Sequence, residues 1–243
     1  MKYVNGKISV CMATYNGEKY IGKQLESILV QIGQGDEVIV SDDYSTDLTV
    51  NIVLSINDPR IIVIYNKKPG IANNFENALK YASGDIIVIA DQDDIWLDGK
   101  IEVIRSNLVN NDLVVMDCIV VDESLNIIYD SLFKLTNPKN NLLSNLIKNN
   151  FTGCCMAFKK WILFYALPFP RSLPMHDWWI GIVAASLGRA SFIDHPCILY
   201  RRHSSNASSL TNKSHFSLIN KCYMRLYIII HLIKLFTKKY FQN

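Results

Sequence analysis

Asp85-Ile86-Ile87-Val88-Ile89-Ala90-Asp91-Gln92-Asp93-Asp94 is the stretch on which the reading of this chain turns. Residues 86–90 are apolar without a break. A run apolar on both faces reads as a strand covered on both sides, as at the centre of an α/β sheet. Three carboxylates follow within four residues, at the strand's carboxyl end, where open α/β sheets bind ligands. Such a cluster repels itself unless a cation neutralises it. Hard oxygen donors suit Mg²⁺ or Mn²⁺, and Mg²⁺ is usually held by one or two carboxylates together with substrate phosphates. A solvated acidic turn is the plainer alternative. The buried strand before the cluster and Ile95-Trp96 closing over it favour a metal–diphosphate site.

Upstream, the same unit repeats. Strands are expected at Ile8 to Ala13, Glu37 to Ser41 and Ile61 to Ile64. Between them Ile21, Leu25, Ile28, Leu29 and Ile32 fall at helical spacing, and Ser45, Thr46 and Asp47 offer cap oxygens for a short helix with Val50, Val53 and Leu54. Gly70 opens a third helix, with Phe75, Ala78, Leu79 and Ala82 facing inward. Strand and helix in alternation predict a mostly parallel sheet wound with helices. Neither GxGxxG nor GxxxxGK[ST] occurs, so a dinucleotide fold and a P-loop are both set aside.

Downstream, the rhythm changes. Lys100 to Leu108 reads as a helix and Leu113 to Met116 as a strand. Ile119 to Val121 and Ile127 to Tyr129 predict a hairpin around Asp122–Asn126, and Gly153 to Phe158 another strand. His176-Asp177-Trp178-Trp179 opens a helix to about Leu187, and Cys197 to Tyr200 is a last short strand.

Composition bounds the rest. The chain has 243 residues, 49% of them hydrophobic, enough for one large α/β domain with a sizeable core. Eight of the 25 basic residues lie beyond Asp194 and none of the 22 acidic ones does, which leaves residues 1–194 at about −5. The six cysteines show no CxxC spacing and mostly sit in apolar runs, as reduced core thiols do. The opening Met1 to Lys7 is too polar for a signal peptide. No stretch reaches the roughly 18–20 apolar residues of a membrane span. A cytoplasmic protein is expected. From Lys221 to Tyr240, helical spacing gathers Cys222, Leu226, Ile229, Ile230, Ile233, Phe236 and Tyr240 on one side, with Lys221, Arg225, His231, Lys234 and Lys238 on the other. A basic amphipathic helix of this kind lies on a membrane surface; packing on the protein's own core or on a second subunit is the alternative.

Five motifs, in order, resemble the inverting glycosyltransferases of family 2 with a GT-A fold, and among them the bacterial rhamnosyltransferase-like group. They are Ala13-Thr14-Tyr15-Asn16-Gly17, Ser41-Asp42-Asp43-Tyr44-Ser45-Thr46-Asp47, Gly70 with Asn73-Asn74-Phe75, Asp91-Gln92-Asp93-Asp94-Ile95-Trp96, and His176-Asp177-Trp178-Trp179 followed by Tyr200-Arg201. The resemblance covers roughly residues 6–206. It implies a nucleotide-sugar-binding half over 1–110, an acceptor-binding and catalytic half over 111–210, and the basic helix over 211–243.

Residue by residue, the resemblance makes Thr14, Tyr15 and Asn16 part of the nucleotide-contacting loop, and Asn74 a further substrate contact. Asp43 becomes the acceptor for a pyrimidine N–H, a role that suits a group with no donor of its own. Asp91 and Asp93 become the DxD pair, with Asp93 the metal ligand and Asp91 nearer the ribose. Asp177 becomes the catalytic base, although a carboxylate there also caps a helix. Trp178 or Trp179 stacks on a sugar or belongs to the core. Arg201 and His203 become diphosphate contacts, and His203 is also grouped with Asp93 at the metal. Three positions depart from the family pattern: Asn73 stands where many members have Arg, and in Arg202-His203-Ser204 the first and last residues replace the Gln and Gly of Gln-His-Gly.

The implied activity moves a sugar from a UDP- or dTDP-linked donor to a hydroxyl of a glycan or lipid-linked acceptor, in surface polysaccharide synthesis. It would take Mn²⁺ or Mg²⁺, at the inner face of the cell membrane, with no nucleic-acid partner and with a homo-oligomer open. A metal-dependent nucleotidyltransferase and a non-catalytic nucleotide-sugar-binding protein are the alternatives.

Overall fold

A computed structural model describes residues 3–171, 173, 175–204, 206 and 218–241, with backbone alone for 218 and 238–241. The first half runs β1 (Ile8–Thr14), α1 (Ile21–Leu29), β2 (Glu37–Asp42), α2 (Thr49–Ser55), β3 (Ile61–Tyr65), α3 (Ile71–Tyr81) and β4 (Ile86–Asp91). The order across the sheet is β3-β2-β1-β4, all parallel. The chain therefore winds one way from β1 to β3 and then returns past β1 to lay down β4. That reversal opens a crevice between the carboxyl ends of β1 and β4, where Ala13 pairs with Asp91. Every residue from Ile86 to Ala90 is fully buried, as a run apolar on both faces requires. In α1, Ile21, Leu25 and Ile28 bury one stripe of the helix against the sheet.

The second half continues the same sheet. It comprises β5 (Ile95–Trp96), α4 (Lys100–Asn107), β6 (Leu113–Val121), β7 (Ile127–Tyr129), α5 (Leu132–Thr136), α6 (Leu142–Ile147), a 3₁₀ turn at Gly153–Cys155, β8 (Met156–Lys159), α7 (Trp161–Ala166), α8 (His176–Leu187), β9 (Ala190–Arg201) and α9 (Leu218–Phe241). β8 is antiparallel to both β4 and β6, β6 is parallel to β9, and β9 carries β5 on its far side. The expected β6–β7 hairpin is present.

Four expected strands change their bounds. Leu113–Met116 and Ile119–Val121 are one strand, and Cys197–Tyr200 is the end of a 12-residue strand. Polar residues masked both. Asp117 is buried in mid-strand, where it accepts the Phe133 N–H at 2.9 Å and the Ser131 hydroxyl, and the β6–β9 register shifts beside it. Asp194 and His195 face out of β9 and break its apolar run. Gly153–Phe158 divides into a 3₁₀ turn and a shorter strand.

The last helix packs by a stripe that the sequence reading did not select. Ile228 and Leu232 are buried, Met224 and Leu235 pack beside them, and Arg225 Nε donates to the Ile147 carbonyl at 2.8 Å. The stripe expected to be apolar does lie together, but it faces outward: Cys222, Leu226, Ile230, Ile233 and Phe236 are all exposed. Of the expected faces, the side chains of Lys238 and Tyr240 are not among those described. Among the described residues no helix is long and apolar enough to cross a membrane.

Candidate active site

The crevice floor is built from strand ends. Asp91 closes β4, and Asp93 and Asp94 follow it in the turn to β5. Asp177 arrives from the first turn of α8 and stands beside Gly153, in the turn before β8, and close to Ile89 of β4: a Cβ on Gly153 would lie 3.5 Å from the Asp177 Cβ and 3.9 Å from Ile89. Asp177 Oδ1 accepts its neighbour Trp178 N–H at 2.6 Å and the Asn149 amide at 3.4 Å. Burial pushes the Asp177 carboxyl up to about 6 in spite of these donors. Burial, then repulsion from Asp93 and Asp177, pushes Asp91 up to about 7. A carboxylate raised this far is a stronger base than an exposed one, as a general base needs to be.

Asp93 is held from the segment after β9. Its Oδ2 meets His203 Nε2 at 2.7 Å and the Asn206 amide nitrogen at 3.1 Å. The His203 ring stacks on Tyr20, centroids 4.9 Å apart, and the Arg201 guanidinium lies over the same ring at 4.9 Å. Arg201 itself is buried: Nε donates to the Asp93 carbonyl at 2.7 Å, and a second guanidinium N–H reaches the Glu123 carbonyl at 2.9 Å. Its backbone N–H binds Asp94 Oδ1 at 3.0 Å. Arg201 thus holds the acidic loop from beneath.

Asp94 is buried, and its Oδ2 has no hydrogen-bond partner among the described residues. Burial and the neighbouring carboxylates push its carboxyl up. Oxygens of Asp91 and Asp94 and the Cys154 sulfur all lie within 4.8 Å of one another. Beneath them runs Lys100, fully buried, with Nζ over the Trp96 ring at 4.2 Å and on the Cys154 carbonyl at 3.2 Å. Four carboxylates with so little positive charge among them, one oxygen of them orphaned, fit a divalent cation.

On the β1 and β2 side, Gln92 clips the loop after β1. The Tyr15 N–H donates to Gln92 Oε1 and Gln92 Nε2 donates to the Tyr15 carbonyl, both at 3.0 Å. Gly17 leaves room for this clip, because a Cβ there would stand 2.3 Å from Gln92 Oε1. The Asn16 carboxamide oxygen accepts the Thr46 N–H at 2.8 Å, tying this loop to the one after β2. Asp43 accepts from the Asn66 amide and the Gly70 N–H, each at 2.8 Å. Gly70 makes that bond at φ +108°, a conformation that favours glycine.

The structure brings Asp91, Asp93, Asp177, Arg201 and His203 together and sets Tyr15, Asn16 and Asp43 on the loops after β1 and β2, whereas three other expected site residues are buried away from the surface. Thr14 is buried and its hydroxyl binds Asp42; buried Asn74 donates to the Thr14 carbonyl at 3.0 Å. Trp178 is 5% exposed and its indole N–H is bound to the Asn145 carbonyl at 2.7 Å, so it belongs to the core and offers no face to a sugar. For these three side chains the expected contact gives way to a positioning role. Gln92, Asn149, Asn206 and Lys100 were not singled out in the sequence. A Lys opening a helix reads as solvent-facing, and no local pattern marks an Asn whose partner lies 113 positions away.

A mixed α/β sheet of this strand order, with acidic residues after the strand at its switch point, defines the GT-A class. TarS from S. aureus, solved with UDP-GlcNAc, superposes with a TM-score of 0.72 at 22% identity, over 93% of this chain and 66% of that one. The model for "Glycosyl transferase family 2" matches residues 9–164. Two curated relatives are similar over most of their length. One is UDP-Glc:alpha-D-GlcNAc-diphosphoundecaprenol beta-1,3-glucosyltransferase WfgD of Escherichia coli, 31% identical over 83% of this chain and 79% of its own. The other is dTDP-rhamnosyl transferase RfbG of Shigella flexneri, 30% identical over 80% of this chain and 72% of its own. The chain belongs to glycosyltransferase family 2 and is a glycosyltransferase.

Proposed function

We propose that the enzyme moves a sugar from a UDP- or dTDP-linked donor to a hydroxyl of a lipid-linked glycan, with inversion, in the assembly of a surface polysaccharide. The observation that carries this reading is the pairing of Asp177, raised to about 6 by burial, with the acidic strand end Asp91–Asp93 on one floor. Nucleotide-sugar and diphosphoundecaprenol chemistry in the names of the relatives supports the choice of donor and acceptor.

Asp177 takes the proton from the acceptor hydroxyl as its oxygen attacks the anomeric carbon. The bond from that carbon to the diphosphate breaks on the opposite face, and its electron pair leaves with the diphosphate. A positioned base typically contributes ~10²–10⁴-fold. Asn149 and the Trp178 N–H orient the carboxylate, and burial keeps its basicity high. Mn²⁺ or Mg²⁺, held by Asp93 and His203 with Asp91 beside them, would supply positive charge to the diphosphate oxygens. Tyr15, Asn16 and Asp43 lie where the nucleoside would run, and Arg201 fixes the loop beneath. The test is turnover on a panel of nucleotide sugars with an undecaprenol-type acceptor. Release of free UDP or dTDP is expected, whereas release of pyrophosphate would mean nucleotidyl transfer instead.

The same reading places the enzyme on the cytoplasmic face of the membrane through the outward stripe of α9. Leu226, Ile230 and Ile233 are exposed there, and no acidic residue follows Asp194. Near an anionic leaflet each Lys or Arg is worth about 1 kcal/mol. Leu226→Glu with Ile230→Glu alters this stripe without touching the packed pair Ile228 and Leu232. Flotation with anionic vesicles should fall about tenfold or more, with turnover of a water-soluble acceptor kept. Unchanged flotation would rule the stripe out, and a dimer in light scattering that the variant dissolves would assign it to a second copy.

A further inference from the structure

The carboxyl ends of β2 and β3 carry two tyrosines that no step above uses. Tyr44 follows Asp43, and Tyr65 closes β3. Their rings stack with centroids 6.1 Å apart and planes inclined by 27°, yet they remain 65% and 52% exposed. Rings that bury so little add little to the core. Tyr44 also stands at φ +59°, where a side chain crowds its own backbone and glycine does not. The surroundings impose that conformation: Asp43 N–H binds the Thr14 carbonyl just before it, and Ser45 is fixed to Asp42 just after it. An exposed aromatic kept at a strained position has a use outside the fold.

Its place gives that use. The acidic floor at Asp91–Asp93 lies beyond β1, and Asp43 lies at the end of β2. A nucleoside diphosphate reaching from the first to the second ends its base beside Tyr44. We infer that the Tyr44–Tyr65 pair is a stacking wall for the nucleobase, holding the flat face of a pyrimidine while Asp43 takes its edge. The inference rests on the nucleoside-diphosphate reading of the site. Stacking adds affinity for any base, because every base has a π-face, and selectivity is left to the edge contact.

Tyr44→Gly removes the ring and suits the backbone, so the variant should fold with an unchanged or higher melting temperature. UDP, uridine and pyrophosphate are titrated calorimetrically into each protein in Mn²⁺. Affinity for UDP and for uridine should fall about five- to tenfold, with pyrophosphate unchanged. Tyr44→Phe, which keeps the ring, should bind UDP like the wild type. Unaltered UDP affinity in Tyr44→Gly overturns the inference alone, and so does an equal loss for pyrophosphate, which would mark a collapsed loop. Wild-type protein that binds pyrophosphate but neither UDP nor dTDP overturns the nucleotide reading and this inference with it.

Discussion

Asp177→Asn is expected to lower kcat by about 10²–10⁴-fold while leaving the affinity for the nucleotide within about twofold. Asn keeps the volume and one acceptor oxygen, so the Trp178 N–H and the Asn149 amide retain a partner. Only the basicity goes. Stability gives a second readout with an opposite sign. Burial raises the Asp177 carboxyl from 3.8 to about 6, so the folded chain binds that proton more tightly than the unfolded chain does. This group's contribution to stability is therefore lost as pH rises from about 4 to about 6, and above that the buried charge is a burden. Removing it should leave the melting temperature at pH 7.5 unchanged or raised. In the wild type, kcat/KM should fall as pH drops below about 6, where the base takes up its proton. Wild-type turnover in the Asn variant would reduce Asp177 to the cap of α8.

The second large effect belongs to Asp93. Asp93→Ala is expected to remove the Mn²⁺ dependence of UDP binding and to lower turnover by about 10²–10³-fold. Binding is the sharper measurement, because it needs no acceptor and no chemistry: titrate UDP with and without Mn²⁺ and compare the two curves. In the wild type they should separate, and in the variant they should coincide. The substitution also frees His203 and Asn206, both of which end on Asp93 Oδ2. Asn206→Ala is the control for a loosened loop, since it keeps both the Asp93 carboxylate and His203. A variant lacking Asp93 whose UDP affinity still rises with Mn²⁺ would move the metal to Asp91 and Asp94, whose oxygens lie within reach of the Cys154 sulfur.

The two halves of the chain differed in how much their local sequence revealed. In the first half each strand is dominated by a short apolar run and each helix by a 3.6-residue stripe, because both faces of a central parallel strand are covered, and its buried polar residues sit mostly at the ends of those runs. Local pattern alone therefore located β1 to β4, and with them the acidic turn at Asp91–Asp94. In the second half buried polar side chains and outward-facing ones interrupt the strands. Asp117 inside β6 and Asp194 and His195 on β9 split two long strands into fragments, since their place in the register is set by partners far along the chain.

The site divides the same way. Its carboxylates were legible because they stand directly after strands and at a helix start, where local pattern is strong. Which of them face the crevice was not. Tertiary packing alone buried Trp178 and Asn74, turned Arg201 onto two backbone carbonyls, and brought His203 and Asn206 onto an Asp more than a hundred positions away. It also put Lys100 under the acids and chose Ile228 and Leu232 as the packed stripe of α9. Local sequence carries periodicity and the choice of ionisable groups; the direction each group faces depends on neighbours that only the closed sheet supplies.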